Sequence, residues 1–252
     1  MRRILRTEKR TAHSMQNKIL IIGATSGIGR ELALLYAAAG HAIAVTGRRA
    51  DLLESLRLEY PDRIVTLTAD ATAPDAAQQL AALTRRLGGL DILIFNAGWG
   101  DLSDSLDWAI DKATVDINVN AFLAAIHFGW EYFVRQGHGQ LVTISSIASI
   151  RGNRHSPAYS AAKSFQSIYF EGLYIKARKL RIPLYLTDVQ PGFVDTKMAK
   201  GPRFWVAPPQ KAARQIIRAI AKKRRRAYIT RRWWIIALVF RWIPGWLYYR
   251  IG

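Results

Sequence analysis

The segment from residue 18 to residue 38 limits the fold of this chain more than any other. Lys18-Ile19-Leu20-Ile21-Ile22 reads as a β-strand, runs into Gly23-Ala24-Thr25-Ser26-Gly27-Ile28-Gly29, and continues into a long Ala/Leu-rich helical stretch. A strand, a glycine turn and a helix in this order let backbone N–H groups approach a pyrophosphate at a helix N-terminus. Taken alone, the glycines could be an ordinary tight turn. The rest of the chain repeats the alternation, with strand signals near 18–22, 41–46, 63–68, 91–95, 139–145, 182–188 and 226–230 separated by helical patterns. With 252 residues, half of them apolar, the chain suffices for one sizeable core. The expected architecture is therefore α/β: a single-domain, Rossmann-like, doubly wound parallel sheet of about seven strands with helices on both faces.

Chemistry enters with Tyr159-Ser160-Ala161-Ala162-Lys163. Helical spacing puts residues four apart on one face, so an ammonium stands beside a phenol. A free phenol, with a pKa near ~10, exchanges protons poorly at neutral pH, and a fixed positive neighbour stabilises its anion. Tyr159 is thus a candidate general acid and base. Chance alone supplies about 0.4 such pairs in a chain of this composition, so the surroundings must decide. Upstream, Leu141-Val142-Thr143-Ile144-Ser145-Ser146 reads as a buried strand ending in hydroxyls, and Asp91-Ile92-Leu93-Ile94-Phe95 delivers Asn96-Ala97-Gly98. Asn118 lies in Asp116-Ile117-Asn118-Val119-Asn120, and Pro191-Gly192-Phe193-Val194-Asp195-Thr196 follows the sixth strand signal. Separately, each has a bland reading as a cap, a strand-end hydroxyl or a loop.

In this order the motifs resemble the short-chain dehydrogenase/reductase family, over residues 18 to about 230. The glycine spacing is that family's Gly-x-x-x-Gly-x-Gly, although Ile22 replaces a usual threonine, Phe95 a usual Asn and Ala121 a common Gly. The resemblance implies a catalytic set of Asn118, Ser146, Tyr159 and Lys163, with Asn120 and Ser145 as competing neighbours. It implies cofactor contacts from Gly23, Thr25, Ser26, Gly27, Ile28, Gly29, Asp70, Ala71, Asn96, Ala97, Gly98, Tyr159, Lys163, Pro191, Gly192, Val194 and Thr196. The mechanism it implies is hydride transfer between a nicotinamide and a carbonyl or secondary alcohol. Tyr159 donates the proton and Ser146 binds the oxygen. Lys163 lowers the Tyr159 pKa and holds the nicotinamide ribose, and Asn118 retains a water that links Lys163 to solvent.

Cofactor preference is read from Ala42-Ile43-Ala44-Val45-Thr46-Gly47-Arg48-Arg49. A carboxylate at this strand end accepts from a ribose 2′-hydroxyl and repels a 2′-phosphate. None is present, and Arg48 is placed to clamp that phosphate, so NADP(H) is expected. A solvated helix start is the plain alternative for Arg48 and Arg49. Trp99, Phe204 and Trp205 suggest an apolar ketone or aldehyde as substrate, with core packing as their plain alternative. A homodimer or homotetramer is the expected assembly. An NADP-binding redox sensor and a membrane-associated scaffold with little turnover stay open as alternatives.

Charge is uneven. Residues 1–18 hold six Lys/Arg and one acid, residues 19–195 sixteen and seventeen, and residues 196–252 fifteen and none, so the net charge of +19 belongs to the ends. Residues 1–17 are expected to form a basic arm, with Met15 an alternative start, and 18–230 the catalytic domain. In the tail, 231–252, Arg231-Arg232 precede the apolar run 233–240, which Arg241 and Pro244 interrupt. Eight apolar residues are too few to span a bilayer, which takes about twenty. Interleaved aromatics and arginines suit a headgroup zone, so residues 222–252 are expected to meet an anionic membrane surface. Closure over the substrate pocket, or a subunit interface, is the competing reading. Nucleic acid is not expected, since no recognition motif accompanies the charge. The N-terminus lacks the apolar core of a secretory signal, which places the expected location in the cytoplasm, peripheral on the inner face of the membrane. With no Cys there is neither disulfide nor thiol nucleophile, and the five His lack ligand spacing, so no metal is expected.

Overall fold

The computed structural model describes residues 16–196 and 204–251, with the side chain of the last excepted. Most of the expected N-terminal arm and residues 197–203 of the segment before the seventh helix lie outside the described residues. Seven strands form one parallel sheet in the order β3-β2-β1-β4-β5-β6-β7: β1 Lys18–Ile22, β2 Ala42–Gly47, β3 Ile64–Thr68, β4 Ile92–Phe95, β5 Gly139–Ile144, β6 Leu184–Pro191 and β7 Arg226–Ile229. The expected strands are all present, with bounds shifted by up to three residues. The sixth extends through Pro191, which pairs with Ile229, because Gly192 N still donates to Ile229 O beyond it.

The helices are α1 Gly27–Ala38, α2 Ala50–Glu59, α3 Ala76–Leu87, α4 Trp108–Val115, α5 Phe122–Gln136, α6 Pro157–Lys179, α7 Pro209–Ala221, α8 Trp233–Trp242 and α9 Gly245–Ile251. They cover both faces because β1 is apolar on both. Ile19 and Ile21 join the core beneath α1, α2 and α7, while Leu20 and Ile22 join the core shared with α3, α5 and α6. Each fully buried Ile or Leu stabilises by roughly 1.5–3 kcal/mol, so this inner strand anchors both layers. Strand order reverses between β1 and β4, and the crevice at their carboxyl ends is where open α/β sheets bind ligands. The glycine turn after β1 and Asn96-Ala97-Gly98 after β4 are therefore brought to one place.

Candidate active site

Close packing defines the glycine turn. Asn96 Nδ2 donates to Gly23 O at 2.5 Å, and a Cβ on Gly29 would collide with that same carbonyl oxygen and lie 2.5 Å from Asn96 Nδ2. A side chain there would push α1 off β1 and close the space in front of its N-terminus. At the end of β2 the two arginines separate in role. Arg49, not Arg48, donates to Thr25 Oγ1 (2.5 Å) and Ser26 Oγ (2.8 Å), so its guanidinium is fixed beside the turn. Arg48 is exposed and contributes to holding the Asp70 carboxyl below its usual range, behind two hydrogen bonds from Thr72. The plain alternative of a solvated helix start for both arginines thus does not describe Arg49; a second arginine beside the first was the available signal. Asp70 and Ala71 line a small cavity with Ile22, Thr46 and Ala121 at the β1–β4 crevice.

Across the crevice, α6 begins with Pro157 and carries Tyr159 and Lys163 toward the end of β5. Ser146 lies just past that strand, where its Oγ hydrogen-bonds Tyr159 and accepts from Ala148 N at 3.1 Å. Ser145 instead faces the core, bonded to Asp188 and, at 3.1 Å, to Val189 O. Alternation along an extended backbone separates the two serines. Asn118 and Asn120 are separated by helical geometry instead. Residues Asp116–Ala121 form a π-helical turn in which Asn118 is wholly buried, while Asn120 is exposed and donates to Asp116. Asn118 Nδ2 donates to Trp99 O (2.5 Å) and Thr114 O (2.9 Å), and its Oδ1 is buried without a partner. A methyl on Gly98 would stand 3.0 Å from that Oδ1 and 3.3 Å from Lys163 Nζ, so Gly98 keeps the space beside both polar groups open.

The electrostatics differ from the expectation that Lys163 lowers the Tyr159 pKa. Burial pushes the phenol up, and the Ser146 hydrogen bond pulls it back only in part. Lys163 is itself lowered to about 7 by burial, against the opposing attraction of Asp188, and its Nζ stands 5.7 Å from the phenol ring centroid. Its ammonium donates to Ile144 O and to Gln166 Oε1, both at 3.1 Å. Gln166 Nε2 donates in turn to Asn118 O at 2.8 Å, so a side chain joins the Asn118 main chain to Lys163. Gln166 and Asp188 escaped the sequence reading. A polar residue on a buried helix face and an acid inside an apolar strand were their signals.

The tail is docked on this side of the molecule. Trp233 is buried against Gly192 and stacks edge-on with Phe193 at 5.4 Å, beside Phe204 and Trp205. Ile147, immediately after Ser146, and Ala237 complete the cluster. Arg151 donates to Phe240 O (2.8 Å) and Ile243 O (2.7 Å), closing the end of α8. The loop after β6 thus meets α8 at Gly192 and the glycine turn at Thr196, whose Cγ2 would lie 3.0 Å from a Cβ on Gly27.

The parallel sheet with its glycine turn and serine, tyrosine and lysine at the crevice define an oxidoreductase of the short-chain type. The family model described as short chain dehydrogenase matches residues 17–206, and the chain belongs to this family, whose members bind a nicotinamide cofactor. An uncharacterized oxidoreductase of Myxococcus xanthus is 35% identical over 185 residues, 71% of this chain and 72% of that protein. The 11-beta-hydroxysteroid dehydrogenase 1A of Arabidopsis thaliana is 32% identical over 195 residues, 74% of this chain and 54% of that protein. The fold of a short-chain dehydrogenase from Streptomyces avermitilis superposes with a TM-score of 0.78 at 24% identity, over 90% of this chain and 91% of that one.

Proposed function

We propose that the protein is an NADPH-dependent reductase of a lipophilic ketone or aldehyde, with residues 18–230 as its catalytic domain. The carrying observation is the convergence of Ser146, Tyr159, Lys163 and the buried, unpartnered Oδ1 of Asn118 on the crevice that the glycine turn opens. The residues present fit a dinucleotide: Gly29 leaves a cradle that a Cβ would fill, and Asn118 Oδ1 is an acceptor awaiting a donor. Gly23, Thr25, Ser26, Gly27 and Ile28 would hold the pyrophosphate, Asp70 and Ala71 the adenine, and Asn96 to Gly98 with Pro191, Gly192, Val194 and Thr196 the nicotinamide half. When bound, the cofactor supplies the hydride and its electron pair to the carbonyl carbon. Ser146 holds the carbonyl oxygen, and Tyr159 gives its phenolic proton to that oxygen as the C=O π pair localises there. The Lys163 ammonium offsets the charge left on Tyr159. Each contact strengthens as negative charge develops, which is what lowers a barrier.

Preference for NADPH is supported by Arg48 and the anchored Arg49 and by the missing carboxylate at the end of β2. Arg48→Ala and Arg49→Ala are each expected to weaken NADPH binding at least about tenfold, since a charge-assisted contact is worth roughly 1.5–3 kcal/mol, with NADH little affected. Fluorescence titration with both cofactors is the check, and equal weakening of the two would make the arginines structural. A lipophilic substrate is supported by Phe193, Phe204, Trp205 and Trp233 beside Gly192, and by the steroid named in the Arabidopsis relative. Following NADPH oxidation over a panel of lipophilic carbonyls tests the activity. No turnover on any of them would favour the redox-sensor alternative. A homodimer or homotetramer is the assembly we assign.

The same reading gives the tail an outer role, on the cytoplasmic surface of a membrane. Apart from Arg241, α8 is apolar on its inner and outer faces alike: Trp233, Ile236, Ala237 and Phe240 are buried or half-buried, while Trp234, Ile235, Leu238, Val239 and Trp242 are exposed, Trp242 by 80%. A helix of that kind is normally covered on every side. Among the described residues no helix is long and apolar enough to cross a membrane. Exposed Arg231, Arg232, Arg241 and Arg250, with no acid after Asp195, match an anionic bilayer better than a second copy of this equally basic surface. The protein is expected to float with anionic vesicles and not with neutral ones, and to be released by salt, which screens exposed charges beyond about 8 Å. Combined Leu238→Gln and Trp242→Gln should abolish flotation. Failure of the intact protein to float, with a dimer that the double variant dissociates, would make this face a subunit interface instead.

A further inference from the structure

Gln166 stands three residues after Lys163 on α6, wholly buried, where helical geometry turns both side chains to the same side. Its amide makes two bonds of opposite sense, accepting from Lys163 Nζ and donating to Asn118 O. An ammonium only donates and a main-chain carbonyl only accepts, so this orientation of the amide alone satisfies both. The π-helical turn that carries Asn118 brings its carbonyl within reach of α6.

We infer that Gln166 is a positioning residue for Lys163, coupling the Lys163 ammonium to the Asn118 main chain through a buried amide. Its meaning for catalysis rests on the reductase reading above. A water in this place could exchange protons with its neighbours; an amide does so poorly. The link therefore holds the ammonium in position and stabilises its charged form. The charged and titratable groups facing Lys163 are Tyr159 on its own helix and Asp188 from β6, with Arg226 of β7 behind that carboxylate at 3.6 Å. The π-helical turn and the end of β5 present only the neutral Asn118 and the Ile144 carbonyl.

The test is a pH titration of the lysine Cε and Nζ signals by NMR, with Lys163→Met identifying the resonance. In the wild type the Gln166 side-chain amide signals should move with the Lys163 titration, near pH about 7. Gln166→Met removes the acceptor, and the Lys163 midpoint should fall by about one pH unit; Gln166→Glu adds a negative partner, and it should rise by about one. The alkaline limb of kcat/KM should move in the same directions, whereas a packing role would lower kcat in both variants and shift nothing. Should either variant fail to fold, the wild-type amide signals decide. Amide signals indifferent to the Lys163 titration, or unmoved midpoints in folded variants, overturn the inference. Shifted midpoints without carbonyl reduction would overturn the reductase reading and leave the coupling standing.

Discussion

Tyr159→Phe is expected to lower turnover by at least about a hundredfold while leaving NADPH affinity within about threefold of wild type. The substitution keeps the ring, and with it the contact that leaves no room for a Cβ on Gly100, but removes the phenolic proton and the oxygen that Ser146 hydrogen-bonds. Because burial already pushes the phenol up, Tyr159 is protonated at neutral pH and ready to donate, so the reductive direction suffers most. Single-turnover kinetics with saturating NADPH separates the chemical step from binding. A variant within tenfold of wild type on an accepted carbonyl would remove Tyr159 from the mechanism.

Trp233→Ala is expected to release the tail without unfolding the domain. Truncating a buried Trp costs about 3–5 kcal/mol, but α8 rests on the sheet end chiefly through this ring, so the loss is taken locally. Amide hydrogen exchange across residues 233–242 should accelerate at least about a hundredfold, with the strands unchanged. The KM for a lipophilic carbonyl should rise, because Gly192 and Phe193 lose the ring that covers them, while NADPH affinity holds. Unchanged exchange would show that Arg151, through its bonds to Phe240 and Ile243, is the true anchor.

The glycine turn and the Tyr159–Lys163 pair were readable because they depend on local geometry. Glycine spacing sets where a backbone approaches another, and a four-residue helical interval sets which side chains share a face. The strands were readable because parallel strands buried on both faces are continuous apolar runs. Neighbours in sequence were harder. Ser146 against Ser145, Asn118 against Asn120 and Arg48 against Arg49 each differ by one or two positions, and which member faces the crevice depends on strand ends and on a π-helical turn that residue type does not announce.

By itself, then, the chain's sequence determined the class of fold, the order of the site-bearing segments and the residue types that meet at the crevice, since all three follow from periodicity and backbone sterics. Tertiary structure alone decided that Gln166 joins Asn118 to Lys163, that Asp188 is the carboxylate facing Lys163, and that Trp233 ties the basic tail to the Pro191-Gly192 segment. The Gln166–Asn118 bond spans 48 positions, the other two links set a side chain against a separate element, and the direction of the Lys163 and Tyr159 shifts follows from burial that only packing creates.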